Sequence, residues 1–191
     1  MFVLTACSPP ATLEPIAEGG TILAFGDSLT VGYGVSAASS YPAVLAELTG
    51  LHVINAGVSG ETSDRGLERL PDALDSAEPD LLVLIHGGND ILQNRSLAEL
   101  EANLGAMIEL AHSRGVPVVL IGVPQKALFS DSAPLYEALA EHYQLAFDAE
   151  LIADLQRSPA MKSDHVHFNA NGYRAMAEAI YALLEENGAL Q

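Results

Sequence analysis

Five short apolar runs punctuate the chain, at residues 21–25, 52–54, 81–85, 116–121 and, more weakly, 145–147. Each is too short for an ordinary helix and is bounded by polar or turn-forming residues, so each is a strand candidate. The runs at 81–85 and 116–121 are apolar almost throughout instead of alternating. Continuous hydrophobicity suits strands covered on both faces, the condition of parallel strands joined by helices. Between the runs, the spacing predicts helices over 41–48, 63–77, 97–113, 134–142, a short one near Glu150, and 170–186, with Gly115 as a stop after the third. This alternation predicts an α/β sandwich, and five short strands fit a flavodoxin-like sheet better than a longer doubly wound one.

Ligands of such sheets sit beyond the carboxyl ends of the strands. The segments that follow the first three strands are Gly26-Asp27-Ser28-Leu29-Thr30, Asn55-Ala56-Gly57-Val58-Ser59-Gly60-Glu61-Thr62 and His86-Gly87-Gly88-Asn89-Asp90. All three are expected to open onto one edge.

Composition narrows the function without naming it. With 191 residues, 49% of them hydrophobic, the chain can bury one core, and we assign a single domain to 21–191. Eight Lys and Arg against 25 Asp and Glu give a formal charge of −17, which would repel a phosphate backbone, so nucleic acid is not an expected partner. The acidic residues are scattered over helix-like stretches and read as a solvated surface. No run of eighteen apolar residues is present, so no membrane-spanning helix is expected. A monomer is the simplest assembly.

The single cysteine, Cys7, precludes an intrachain disulfide and a cysteine-based zinc site. Its context, Leu4-Thr5-Ala6-Cys7, resembles the lipobox at which bacterial lipoprotein signals are cleaved and acylated. The basic and apolar parts of a signal, the latter about 7 to 15 residues, would not fit before it, so residues 1–20 are expected to be a truncated signal remnant and a flexible tether. On this expectation the protein is a periplasmic or cell-envelope lipoprotein, tethered through lipidated Cys7.

Candidate chemistry lies in the loops. Ser28 follows a strand by a turn and precedes a helical turn, which would stand its hydroxyl at the sheet edge, although capping a helix is the commoner work of such a serine. A serine hydroxyl needs a base to take its proton, and that base needs a third group to fix its tautomer. Asp164-His165-Val166-His167 offers both, because residues three apart can face each other across one turn: Asp164 would accept from His167 Nδ1, leaving Nε2 for Ser28. His165 is a competing base. An oxyanion needs donors in a fixed frame; Gly60 could let its loop approach closely and adopt unusual dihedrals, and Asn89 could present its NH₂.

The blocks Gly26-Asp27-Ser28-Leu29-Thr30-Val31-Gly32, Gly57-Val58-Ser59-Gly60-Glu61-Thr62-Ser63, Gly87-Gly88-Asn89-Asp90 and Asp164-His165-Val166-His167 resemble, in order, the four blocks of the GDSL or SGNH hydrolases. Within that family the chain is most similar to the bacterial multifunctional thioesterase, lysophospholipase and arylesterase group. The resemblance implies a three-layer α/β/α fold with five parallel strands. It implies Ser28 as nucleophile, His167 as base and Asp164 as its orienter, with an oxyanion hole made by the Ser28 N–H, the Gly60 N–H and the Asn89 side chain. It also implies a broad preference for short to medium acyl or aryl esters. One departure is visible: Phe168 follows His167 where many relatives carry proline.

The expected activity is therefore serine ester hydrolysis of a small-molecule ester or lipid through an acyl-enzyme on Ser28, with no cofactor. Leu92, Pro124, Leu128, Phe129 and Phe168 are candidates for an apolar acyl wall. Three alternatives use the same residues differently. A metal-dependent phosphoesterase would take Asp27, Asn89, His165 and His167 as ligands, but the early Asp-x-His pair it needs is missing. A surface lipoprotein could keep the fold without catalysis and bind carbohydrate or lipid. The α/β-hydrolase elbow Gly-x-Ser-x-Gly fails at Thr30.

Overall fold

In the computed structural model, which describes residues 13–125 and 131–190, the five apolar runs pair into one all-parallel sheet of order β2-β1-β3-β4-β5. The strands are β1 (Thr21–Gly26), β2 (His52–Gly57), β3 (Leu81–Ile85), β4 (Val118–Ile121) and β5 (Ala146–Asp148). Every residue of β3 and β4 is buried, as continuous apolar runs require. The fourth run starts later than expected: Pro117 cannot donate to a ladder, but its carbonyl accepts the Leu82 N–H. β2 departs from the expectation of cover on both faces. It is one of the sheet's two edges, and His52, Ile54 and Asn55 are exposed.

The connections are α1 (Ser28–Val31), α2 (Tyr41–Thr49), α3 (Ser63–Ala77), α4 (Gly88–Leu92), α5 (Leu97–Ser113), α6 (Pro134–Tyr143), α7 (Leu151–Arg157) and α8 (Ala170–Glu186). Helices α2, α7 and α8 pack together on one face and α3, α5 and α6 on the other, giving the three-layer sandwich. The long helices bury one stripe each. Leu100, Leu104, Met107, Ile108 and Ala111 of α5 recur at helical spacing, as do Tyr173, Met176, Ala177, Ile180 and Leu184 of α8. Side-chain caps start both helices: Ser96 accepts from the Glu99 N–H, and Asn169 from the N–H groups of Asn171 and Gly172. None of the helices among the described residues is long and apolar enough to cross a membrane.

The flexible tether expected over residues 1–20 does not describe residues 13–20. Leu13 and Ile16 are part-buried against the core, and their N–H groups donate to Asn187 and Ala189 carbonyls at 2.8 and 2.9 Å. Two apolar side chains in a Pro- and Gly-rich stretch are enough to dock it on the end of α8. Cys7 lies outside the described residues.

Candidate active site

The strand order places β1 between β2 and β3, so the connections that leave the neighbouring strands β1 and β3 run in opposite directions, and a crevice opens beyond the carboxyl ends of these two strands. Ser28 enters it at the start of α1. The preceding Asp27 is this helix's cap, accepting the Leu29 N–H at 3.1 Å, and burial pushes its carboxyl above the ordinary range against the pull of that bond. Gly57, at the end of β2, passes so close to α1 that a Cβ there would lie 2.3 Å from the Val31 nitrogen.

His167 arrives from the opposite side, on the loop before α8. Its Nε2 is 3.0 Å from Ser28 Oγ and its Nδ1 is 2.8 Å from Asp164 Oδ2. The loop that sets this geometry is bonded to itself. Asp164 Oδ1 accepts the N–H groups of Val166 and His167, each at 2.7 Å, and the Asn169 amide donates to the carbonyls of Ala160 and Lys162. Partial burial works against ionisation of Asp164, but the bonds from the His167 backbone and ring and from Val166 outweigh it and bring the carboxyl down to about 2. His165 is exposed and lines the crevice, whereas the bond to Ser28 Oγ comes from His167. Tyr33 lies against the His167 ring, centroids 4.4 Å apart.

Gly60 and Asn89 complete the ring of sequence candidates. Gly60 has φ +78°, a left-handed conformation that glycine adopts without cost. The expected close approach is not what requires it: a Cβ there would meet nothing within 4 Å. Asn89, in α4, donates from Nδ2 to the Glu61 carbonyl at 2.9 Å and makes only a long 3.4 Å contact to Asp27 Oδ2. An amide has two hydrogens, so the second is weakly engaged and available to an anion.

A cavity of about 760 Å³ runs from this centre. Leu29, Ile91, Leu92, Val123, Pro124 and Ala153 give it an apolar wall, and Gln156, Arg157, Lys162 and His165 a polar one. Leu92 and Pro124, two of the acyl-wall candidates, are among its lining residues. Phe168 is not: it is fully buried and packs edge-on against Tyr173, centroids 5.7 Å apart, because β-like pairing with Lys162 turns it away from the crevice. Leu128 and Phe129 lie outside the described residues.

Beneath these loops lies a polar cluster that no motif or spacing predicts. Glu61 is nearly buried, and Arg69 grips it with Nε and Nη2 at 2.8 and 2.7 Å while His86 Nε2 lies 3.1 Å away. Burial raises the Glu61 carboxyl, but the bonds from Arg69 and His86 more than offset this and hold it at about 2. Beside it, buried Asp90 accepts both the N–H and the hydroxyl of Ser63 at 2.8 Å, and Asn103 donates to that hydroxyl. Glu61, Ser63 and Asp90 stand inside the blocks themselves, but nothing in their spacing pairs them with Arg69, His86 or Asn103.

Residues 24–175 match the model of the GDSL-like lipase/acylhydrolase family. Among curated proteins, Esterase TesA of Pseudomonas aeruginosa is 34% identical over 127 residues, which take in 64% of this chain and 63% of that one, just under two thirds of its length. Arylesterase of Vibrio mimicus is 37% identical over 134 residues, 65% of this chain and 67% of that one. Thioesterase 1/protease 1/lysophospholipase L1 of Escherichia coli is 27% identical over 170 residues, 85% and 82% of the two chains. Of solved structures, TesA superposes with a TM-score of 0.79 at 27% identity, covering 87% of this chain and 99% of that one. The SGNH-hydrolase family esterase AlinE4 does so with 0.68 at 34% identity, covering 90% and 97%.

Proposed function

The chain belongs to the GDSL-like lipase/acylhydrolase family, and on that premise we propose that it hydrolyses carboxylic esters through an acyl-enzyme on Ser28. The observation that carries this is the unbroken relay from Ser28 Oγ through the His167 ring to Asp164, at 3.0 and 2.8 Å, at the head of an apolar cavity. His167 Nε2 takes the hydroxyl proton as Oγ bonds to the ester carbonyl carbon. The carbonyl electrons move onto oxygen, where the N–H groups of Ser28 and Gly60 and the Asn89 amide receive them. Collapse breaks the bond to the alcohol or thiol, which leaves with the proton from His167. A water molecule then gives a proton to His167 as its oxygen bonds to the acyl carbon, and collapse breaks the bond to Ser28 Oγ, which takes that proton back from His167 as the acid leaves. Asp164 keeps the imidazole in the tautomer that points its lone pair at Ser28 and stabilises the imidazolium.

The substrate is a small acyl or aryl ester whose apolar part lies along Leu92 and Pro124, with Ile91 and Val123 beside them. The names of the relatives, esterase, arylesterase and thioesterase, support this class. Lipidation of Cys7 in the cell envelope of a bacterium is part of the proposal, and palmitate labelling that is lost in Cys7→Ser is its test.

Fluorophosphonate labelling followed by peptide mapping tests the mechanism. The label is expected on Ser28, is expected to be lost in Ser28→Ala and His167→Ala, and the same variants are expected to lose at least about a thousandfold in kcat. A folded protein that takes no label, or one whose activity is removed by EDTA and restored by a divalent metal, would overturn it.

A further inference from the structure

Glu61 touches both loops that carry the proposed oxyanion donors. It follows Gly60 directly, and its carbonyl accepts the Asn89 amide at 2.9 Å. Its carboxylate faces inward, where Arg69 and His86 tie it to three strands. From the end of β3, His86 accepts the Gly87 N–H on Nδ1 at 2.9 Å, which leaves Nε2 as the donor to Glu61 at 3.1 Å. The His86 carbonyl is itself held by the Tyr136 hydroxyl at 2.8 Å. Arg69, on α3, donates to both carboxylate oxygens and, at 3.0 Å, to the Ala56 carbonyl of β2, with its guanidinium 4.1 Å above the β1 ring of Phe25. His86 has one seat, because α3 presents Gly66 to it and a Cβ there would lie 2.4 Å from Nε2.

Burying these charges costs solvation that apolar packing would not. What the charges add is direction. A bidentate guanidinium fork fixes the carboxylate in one plane, and a ring bonded at both nitrogens fixes the turn that leads into Asn89. We propose that Glu61, held by Arg69 and His86, is a positioning residue that sets the spacing between the Gly60 N–H and the Asn89 amide, so that both reach one oxyanion. This rests on the oxyanion roles proposed above for those two groups.

The test is a double-mutant cycle on the full chain, with a p-nitrophenyl ester as substrate and urea unfolding as the check of fold. Asn89→Ala alone is expected to lower kcat about a hundredfold. Glu61→Gln keeps the shape and the main-chain carbonyl but loses the charge; it is expected to lower kcat about tenfold or more with KM within about twofold, and to lower it about twofold or less once Asn89 is already alanine. Should Glu61→Gln fail to fold, Glu61→Gln with Arg69→Met removes both charges together and enters the same cycle. A loss of equal size in both backgrounds, a loss confined to KM, or no loss at all overturns the positioning role while leaving the oxyanion role of Asn89 standing. Full kcat in Asn89→Ala overturns the oxyanion role, and the positioning proposal with it.

Discussion

Asp164 and His167 sit on a loop that bonds to itself across three residues and stays half in water, whereas Gly60 and Asn89 rest on buried polar groups drawn from segments 25 to 40 residues apart. The side chain of Asp164 is 47% exposed and that of Glu61 6%. Ser28, His167, Gly60 and Asn89 line one cavity. The Asp164–His167 half can be placed by local chain geometry, because the proposed mechanism asks it only to present one ring nitrogen. On the mechanism proposed above, the other half must bring donors from two different loops to one point, and contacts that cross between strands set that distance. Chemistry and stability should therefore separate: the exposed half carries the larger share of rate, the buried half the larger share of folding energy.

The largest effect expected from this contrast is on the exposed side. Asp164→Ala frees the His167 ring to take the wrong tautomer and is expected to cost about ten-thousandfold in kcat. Because the lost bonds are solvent-exposed, the unfolding free energy from urea titration is expected to fall by no more than about 1 kcal/mol. Asp90→Ala reverses the balance. It strips the acceptors from the buried N–H and hydroxyl of Ser63 and is expected to cost about 2–4 kcal/mol of stability, with a smaller loss of kcat than Asp164→Ala. Equal destabilisation by the two variants would erase the distinction.

The same contrast governs what could be read from the sequence. Asp164 and His167 could be paired from spacing alone, since three residues place them within one turn. Ser28 could be placed because an apolar run ends just before it. Among the described residues, the five strands and six of the eight helices followed from runs and spacing, but α4, five residues long, carries no period. Nothing in the spacing links Glu61 to His86 or Ser63 to Asp90, because those pairs exist only once β1, β2 and β3 lie side by side. Phe168 illustrates the same limit: its neighbour His167 points into the crevice, yet it turns into the core, a choice made by its pairing with Lys162. Leu13 and Ile16, in a stretch of turn-formers, dock on chain that is last in sequence.

Acid sharpens the comparison with the smallest effect. Glu61 is held at about 2 in the folded protein against an ordinary value of 4.5, and Asp164 at about 2 against 3.8. A carboxyl whose folded value is depressed stabilises the fold while ionised; that contribution is complete above the unfolded value and is lost as pH falls toward the folded one. The stability gap between wild type and Glu61→Gln is thus expected to be constant above pH 4.5 and to close as the pH falls from there to about 2. The gap for Asp164→Asn is expected to close over the lower window from 3.8 to about 2. Salt distinguishes them. Half-exposed Asp164 is screened, so its gap is expected to shrink when unfolding is repeated in about 0.5 M salt, while that of nearly buried Glu61 persists. If both gaps respond to salt alike, water reaches the Glu61 carboxylate as readily as it reaches Asp164, and the buried half of the site is not the rigid frame its bonds describe.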